Sequence, residues 1–136
     1  KYHPGGSLGK KLLLQVKDLI ENSLKPMVSP DASIKKVIFE ISEKRLGATA
    51  VVENEKVIGV ITDGDIRRML NENDTFSHLT AKDIMTKNPK MIQSATMVVE
   101  ALNILEDFSI TQLIVLDQDQ YKGIVHLHDI LKEGIV

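Results

Sequence analysis

The chain contains no cysteine and no tryptophan. Without cysteine there can be no disulfide, no cysteine-ligated zinc and no thiol nucleophile. The same absence fits a reducing compartment, so a cytoplasmic location is expected. Long apolar runs are missing too. No stretch nears the ~18 uninterrupted apolar residues of a membrane span, and residues Lys1 to Gly9 lack the apolar centre of a signal peptide. No membrane partner is therefore expected. Nor is there an excess of positive charge: 17 basic residues stand against 19 acidic ones, a net charge of −2. Proteins that hold nucleic acid through its phosphates are usually basic, so that class is not expected either. What is present is ordinary globular material. A composition of 43% hydrophobic and 26% charged residues is too apolar for a disordered chain. A compact chain of this size has a radius of gyration of ~14 Å, enough for a modest core.

The chain repeats itself. Lys17-Asp18-Leu19-Ile20 recurs as Lys82-Asp83-Ile84-Met85. A proline follows each, Pro26 and Pro89, then an apolar pair, Met27-Val28 and Met91-Ile92. Ala32-Ser33-Ile34 matches Ala95-Thr96-Met97 at the start of a helical pattern. Gly59-Val60-Ile61 matches Gly123-Ile124-Val125, and each copy closes on Asp-Ile, Asp65-Ile66 and Asp129-Ile130. The polar, acidic stretch from Asn71 to Ser77 joins the halves.

Each half predicts the same order of elements. Ser33 is an N-cap, and Ile34, Val37, Ile38 and Ile41 form one apolar helix face. In the second half Thr96 is the cap, with Met97, Ala101, Ile104 and Leu105 inward. Ala48 to Val52 and Val57 to Thr62 read as a hairpin around the polar turn 53–56. Gln112 to Leu116 and Tyr121 to His126 repeat it, with a turn read as one residue longer. Short helices from about Asp63 to Leu70 and from about Leu127 to Lys132 close the halves. The fold class is therefore α/β (α+β), two tandem β-α-β-β-α units packed through their sheets with pseudo-two-fold symmetry. Neither half has enough core to stand alone.

The motif Gly-apolar-apolar-Thr-x-x-Asp at Gly59 to Asp65, set in such a unit and paired in tandem, resembles the CBS domain. The boundaries expected are 16–70 for the first unit, 71–80 for a linker and 81–136 for the second unit. Residues 1–15 resemble something else. Lys1-Tyr2-His3-Pro4-Gly5-Gly6-Ser7-Leu8-Gly9-Lys10-Lys11-Leu12-Leu13 is similar to the closing segment of the sugar isomerase (SIS) domain in arabinose 5-phosphate isomerases, whose CBS pair follows directly. Ile61-Thr62-Asp63-Gly64-Asp65-Ile66-Arg67-Arg68 is similar to their first CBS unit. The resemblance implies a parent enzyme that interconverts ribulose 5-phosphate and arabinose 5-phosphate for Kdo synthesis, serving lipopolysaccharide or capsule. It also implies that His3 belongs to that enzyme's sugar-phosphate site. A neutral imidazole suits proton transfer near neutral pH, but the present chain lacks the partners of His3 and is expected to be inactive alone.

The ligand sites implied centre on Thr62 and Asp65 in the first unit. Two readings stand together there. One is a capped helix start. The other is a site in which the carboxylate holds a ribose diol and the hydroxyl meets a phosphate. In the second unit Asp129 keeps the ribose role, while His126 replaces Thr62 and offers a phosphate or sugar-acid contact. The family pattern adds Met27, Val28 and Ala48 to one site and Met91, Ile92 and Thr111 to the other, against the simpler reading of each as core. Arg67 and Arg68 offer cations or a solvated basic turn. His126 and His128 share one side of a strand end without a third ligand, so no metal is expected.

Leu8, Leu12, Val16, Leu19 and Ile20 fall on one face of an expected linker helix from about Leu8 to Glu21, able to carry a signal to the SIS domain of the same chain. The leading function is regulatory sensing of a nucleotide or nucleotide sugar, CMP-Kdo or an adenine nucleotide, with no cofactor required and a homo-oligomer expected. Two rivals are a purely structural, oligomer-forming pair with empty clefts, and catalysis by the chain itself.

Overall fold

The computed structural model describes residue 9, residues 12–20 and residues 24–134. A short helix α1 (Val16–Ile20) leads into β1 (Met27–Val28), α2 (Ile34–Lys44), β2 (Ala48–Glu53), β3 (Lys56–Thr62) and α3 (Asp63–Glu72). The order then recurs: α4 (Ala81–Ile84), β4 (Thr86–Lys87), β5 (Met91–Gln93), α5 (Val98–Asp107), β6 (Gln112–Asp117), β7 (Gln120–His126) and α6 (Leu127–Leu131). The strands form a four-stranded sheet in the order β1-β2-β3-β4 and a three-stranded sheet in the order β5-β6-β7. Both units thus have the expected β-α-β-β-α order.

The hairpins are built alike. Asn54 and Glu55 both have positive φ, 51° and 67°, the turn chemistry that matches the twist of a two-residue hairpin loop. In the second hairpin Asp117 pairs with Gln120 just as Glu53 pairs with Lys56. The two turns are therefore of equal length, and the extra residue read from the sequence is not there. Each hairpin carries one bulge, at Val51/Val52 and at Val115/Leu116. Because a bulge inserts a residue, it reverses which side chains face which layer.

Independently of the bulge, the alternation of strand side chains lets β2 serve two cores. Val51 and Ile61 face the helices of the first unit with Val28, Val37, Ile41 and Ala81. Ala48 and Ala50 face the other way, against Ile114, Tyr121 and Ile124 of the second sheet. The two sheets bury this shared apolar layer between them. The Tyr121 hydroxyl crosses it and donates to the Pro26 carbonyl at 2.5 Å. Burial, aided by the Glu40 carboxylate, pushes the Tyr121 phenol well above its ordinary pKa, so it remains a donor.

The leading helices are exchanged. Val16 and Ile20 open the first unit in sequence but lie in the core of the second, with Ile92, Val98, Leu105 and Val125. Backbone bonds fix them there, Val16 N to Thr96 O at 2.8 Å and Lys17 N to Ser94 O at 2.9 Å. Reciprocally, Ala81 sits in the first core, with Ala81 N bonded to Ala32 O at 2.9 Å and Lys82 N to Pro30 O at 2.8 Å. Gly59 makes room for this exchange, since a Cβ there would collide with Met85, its Cγ 2.9 Å away; at Gly123, φ +147°, a Cβ would be in ordinary contact with Ile20 Cδ1 at 3.9 Å.

Three local expectations change. The linker helix is not continuous: Leu13 lies in a turn, Gln15 forms an isolated bridge with Met97, and helix resumes only at Val16. Leu8 and Glu21 lie outside the described residues. In α2, Ile38 is 40% exposed while Glu40 is buried. The buried arc centres on Val37, and at about 100° per residue Ile38 stands a quarter-turn away. Glu40 accepts the Met27 N–H at 3.0 Å and pairs with Lys44 at 2.8 Å. Burial raises its pKa, but the Lys44 and Met27 hydrogen bonds and the charges of Lys44 and Lys36 outweigh that and hold it below the ordinary value. Finally, Ser33 caps α2 by accepting the Lys36 N–H at 3.1 Å, but the matching cap of α5 is Met97, not Thr96. Met97 has no side-chain acceptor, so that helix starts without a cap bond.

Replacing Tyr121 by Phe should lower stability by about 0.5–1.5 kcal/mol, the net worth of a typical internal hydrogen bond. Urea unfolding should show a lower midpoint at an unchanged m-value. An unchanged midpoint would mean that the Tyr121–Pro26 bond contributes nothing.

Candidate functional site

Packing the sheets face to face brings the ends of β3 and β7 to one edge. A cleft of about 730 Å³ opens there, between the units. From the first unit it is lined by Gly47, Thr62, Asp63, Gly64 and Arg67. The link to the second unit adds Thr86, Asn88, Pro89 and Lys90, and the second unit adds Ser109, Thr111, Gln112 and His126. Val60, Ile114 and Ile124 form an apolar floor. A cleft of this size, with an apolar floor and a polar rim, fits a small organic ligand.

Thr62 is placed by its role as N-cap of α3. Its hydroxyl accepts the Asp65 N–H at 3.3 Å, and Asp65 Oδ2 accepts the Thr62 N–H at 2.9 Å. This reciprocal arrangement satisfies two otherwise orphaned donors. His126 does the same work at α6. Its Nδ1 accepts the His128 N–H at 2.9 Å, and Asp129 Oδ2 accepts the His126 N–H at 3.1 Å. A lone pair on Nδ1 means that the neutral ring carries its proton on Nε2, which leaves a donor for the cleft that His126 lines. The His126 and His128 rings lie 4.8 Å apart. Among the described residues no three metal-ligating side chains come close enough to hold an ion.

The second unit reaches across the cleft. Gln112 Nε2 donates to the Leu46 carbonyl at 3.1 Å, and Thr111 donates to Gln112 Oε1 at 2.8 Å. Gly47 has φ +72°, the left-handed region that favours glycine, and a Cβ there would lie 2.8 Å from Gln112 Nε2, so that the amide would have to swing off the Leu46 carbonyl. Two cations stand at the rim. Lys90 Nζ lies 3.9 Å from the centre of the Phe108 ring, and Arg67 is exposed and makes no ion pair among the described residues. Two cations, Arg67 and Lys90, outnumber the one carboxylate in the lining, Asp63, which favours an anionic ligand over a cationic one.

The sequence-derived candidates divide. Thr62, Thr111 and His126 meet in this cleft. Met27 and Val28 line a separate groove of about 410 Å³, with Ser29, Ser33 and Lys36. Ala48 is wholly buried between the sheets, Ile92 lies in the second core, and Met91 is exposed away from the cleft. Asp65 is buried behind Thr62, and Asp129 is engaged at the helix start. Arg68 turns from the cleft and pairs with Asp65 at 2.7 Å. His3 lies outside the described residues. Asp63, Thr86, Asn88, Lys90 and Ser109 join the site without having been singled out. Asn88 and Ser109 have positive φ, 52° and 53°, and turn chemistry at polar residues was their only sequence signal.

Desolvation by burial, with His128 adding, holds the His126 pKa below its ordinary 6.5, and Asp129 opposes this. The sign follows. The folded state resists protonating His126 more than the unfolded chain does, so the stability from this group is complete above about 6.5. It falls as the pH drops through the folded-state pKa. An NMR titration should place His126 below a free histidine. His126→Asn, which keeps a cap acceptor, should lose less stability between pH 7 and pH 5 than the parent chain. Equal losses would show that His126 titrates as if solvated.

The CBS domain family model matches residues 16–72 and 81–135. Over 136 aligned positions the chain is 40% identical to the arabinose 5-phosphate isomerase KdsD of Yersinia pestis, covering 98% of this chain and 42% of that protein. The chain thus spans about two fifths of the length of that relative. Among solved structures it resembles a CBS-domain containing protein from Agrobacterium tumefaciens, with a TM-score of 0.77, 22% identity, and 89% and 98% of the two chains covered. It also resembles a CBS domain protein from Pyrobaculum aerophilum complexed with AMP, with a TM-score of 0.77, 16% identity, and 90% and 100% covered.

Proposed function

The chain belongs to the CBS domain family, and on that footing we propose that it is the ligand-sensing region of an arabinose 5-phosphate isomerase. Its identity with KdsD supports the parentage. The observation that carries the sensing role is the cleft itself, which gathers Thr62, Thr111, His126, Arg67 and Lys90 from both units around an apolar floor. A nucleotide or nucleotide sugar matches that lining. The floor suits a base, the hydroxyls suit a sugar, and the two cations with the His126 N–H suit a phosphate. AMP bound to a CBS protein of the same fold supports the adenine choice. Feedback by the activated pathway product favours CMP-Kdo. In this reading the chain performs no isomerisation, and His3 acts with the SIS domain of the parent. The parent works in the cytoplasm as a homo-oligomer, with the segment before Val16 as the route to the SIS domain.

Thermal unfolding should separate the choices. A ligand present at a hundred times its Kd adds about 2.7 kcal/mol to the native state, a rise of roughly 10 °C in Tm for a chain of this size. CMP-Kdo or AMP should produce such a rise, and inorganic phosphate a much smaller one. The double variant Arg67→Ala/Lys90→Ala should remove most of it. No shift with any nucleotide or nucleotide sugar would overturn the sensing role and leave the assembly-only reading.

A further inference from the structure

We propose that Gln112 is a positioning residue. Its side-chain amide acts as a crossbar between the two loops on which α3 and α6 start, and so holds the opposite walls of the cleft at one spacing. The proposal stands on the geometry alone and holds whichever ligand the cleft takes.

The amide is fixed at both ends. Nε2 donates across the unit boundary to the Leu46 carbonyl at 3.1 Å, and Oε1 accepts the Thr111 hydroxyl at 2.8 Å. A carbonyl only accepts, so the Leu46 oxygen decides which end of the amide faces it. The crossing is close, since a Cβ built at Gly47 would stand 2.8 Å from Nε2.

The consequence comes from what the crossbar joins. Leu46 and Gly47 lie between α2 and β2, and Ser109 to Thr111 lie between α5 and β6. Both loops turn through positive φ, 62° at Arg45 and 72° at Gly47 in the first, 53° at Ser109 in the second. Each loop carries the start of a closing helix. The Gly47 carbonyl accepts the Asp63 N–H at 3.3 Å, and the Thr111 carbonyl accepts the Leu127 N–H at 2.8 Å. Asp63 and Leu127 are the first residues of α3 and α6, and the residues before them, Thr62 and His126, line the cleft. Loops outside a sheet open at low cost, so a bond between two of them constrains both helix starts at once.

The link runs one way. Gln112 opposes His126 in the β6–β7 ladder as Ala48 opposes Thr62 in the β2–β3 ladder. Ala48 is wholly buried and has no polar side-chain atom with which to return the bond. The repeat would make the two loops equivalent, and one side chain of the second unit makes them different.

The test compares the parent chain with Gln112→Ala and Gln112→Met, all without ligand. Alanine is what the fold already carries at the equivalent position, and methionine keeps the length of glutamine without either bond. Amide hydrogen exchange at Asp63 and Leu127 should rise about fivefold or more in both variants, the factor expected on losing one internal hydrogen bond. The amides of Val37 in α2 and Ala101 in α5, bonded to the Ser33 and Met97 carbonyls, should exchange as in the parent chain. Unchanged exchange at Asp63 and Leu127 would overturn the proposal. So would an equal rise at all four amides, which would show a loss of global stability and not of local position. A second readout measures spacing directly. The chain has no cysteine, so one spin label can be placed on each closing helix, at Arg67→Cys and Leu131→Cys, both exposed positions. The distance distribution between the labels should be broader with Gln112→Met than with Gln112 in place. Identical distributions would overturn the crossbar.

Discussion

The apolar layer between the two sheets is the contact on which the rest of the molecule depends. Ala48 and Ala50 on one side meet Ile114, Tyr121 and Ile124 on the other. Small residues against large ones let the sheets approach and interdigitate at the density of a protein interior. Neither hairpin alone buries enough apolar surface to offset its chain entropy. Once the layer forms, the ends of β3 and β7 are brought to a common edge, and the cleft is what remains between them.

The exchange of leading helices makes this pairing hard to undo. Val16 and Ile20 complete one core while their own strand belongs to the other, and Ala81 returns the arrangement. A unit separated from its neighbour would lose part of its core as well as its sheet contact. The exchange also has a functional side. Backbone bonds join the segment before β1 to Ser94 and Thr96, only a few residues beyond Lys90 at the cleft. The segment Val16–Lys17 is thus joined to the second unit, although the first unit lies nearer in sequence.

The helix starts show how one physical requirement accepts different chemistry. Each helix must satisfy free N–H groups at its first turn. Thr62 and Asp65 do so in one unit, His126 and Asp129 in the other. The change from Thr to His keeps the cap but alters what faces the cleft, from a hydroxyl to a ring N–H with a pKa held low by its surroundings. Local folding is therefore conserved across the repeat while the two ends of the cleft differ.

Much of this was legible from the residues. The repeat, the β-α-β-β-α order, both hairpins and the Ser33 cap depend on short-range pattern: apolar period, turn chemistry and the recurrence of a motif; Thr62 on one side and Thr111 with His126 on the other were read as two sites, and the fold lines one cleft with all three. What the pattern could not determine depends on how segments distant in sequence meet. The Thr96 assignment failed because a one-residue offset near β5 is invisible until strand pairing sets Met27 opposite Ala50 and Met91 opposite Ile114. Ile38 stands outward because the buried arc of its helix centres on Val37, and the arc also takes in Glu40, whose bond to the Met27 N–H helical period does not report. The bond from the Thr86 hydroxyl to Asp65 joins residues far apart along the chain, and no local pattern reports it. The sequence by itself determined which segments are helix, strand and cap, because those choices are made within a few residues. The tertiary structure decided which side chains share the cleft, because that depends on packing two sheets whose residues lie far apart along the chain.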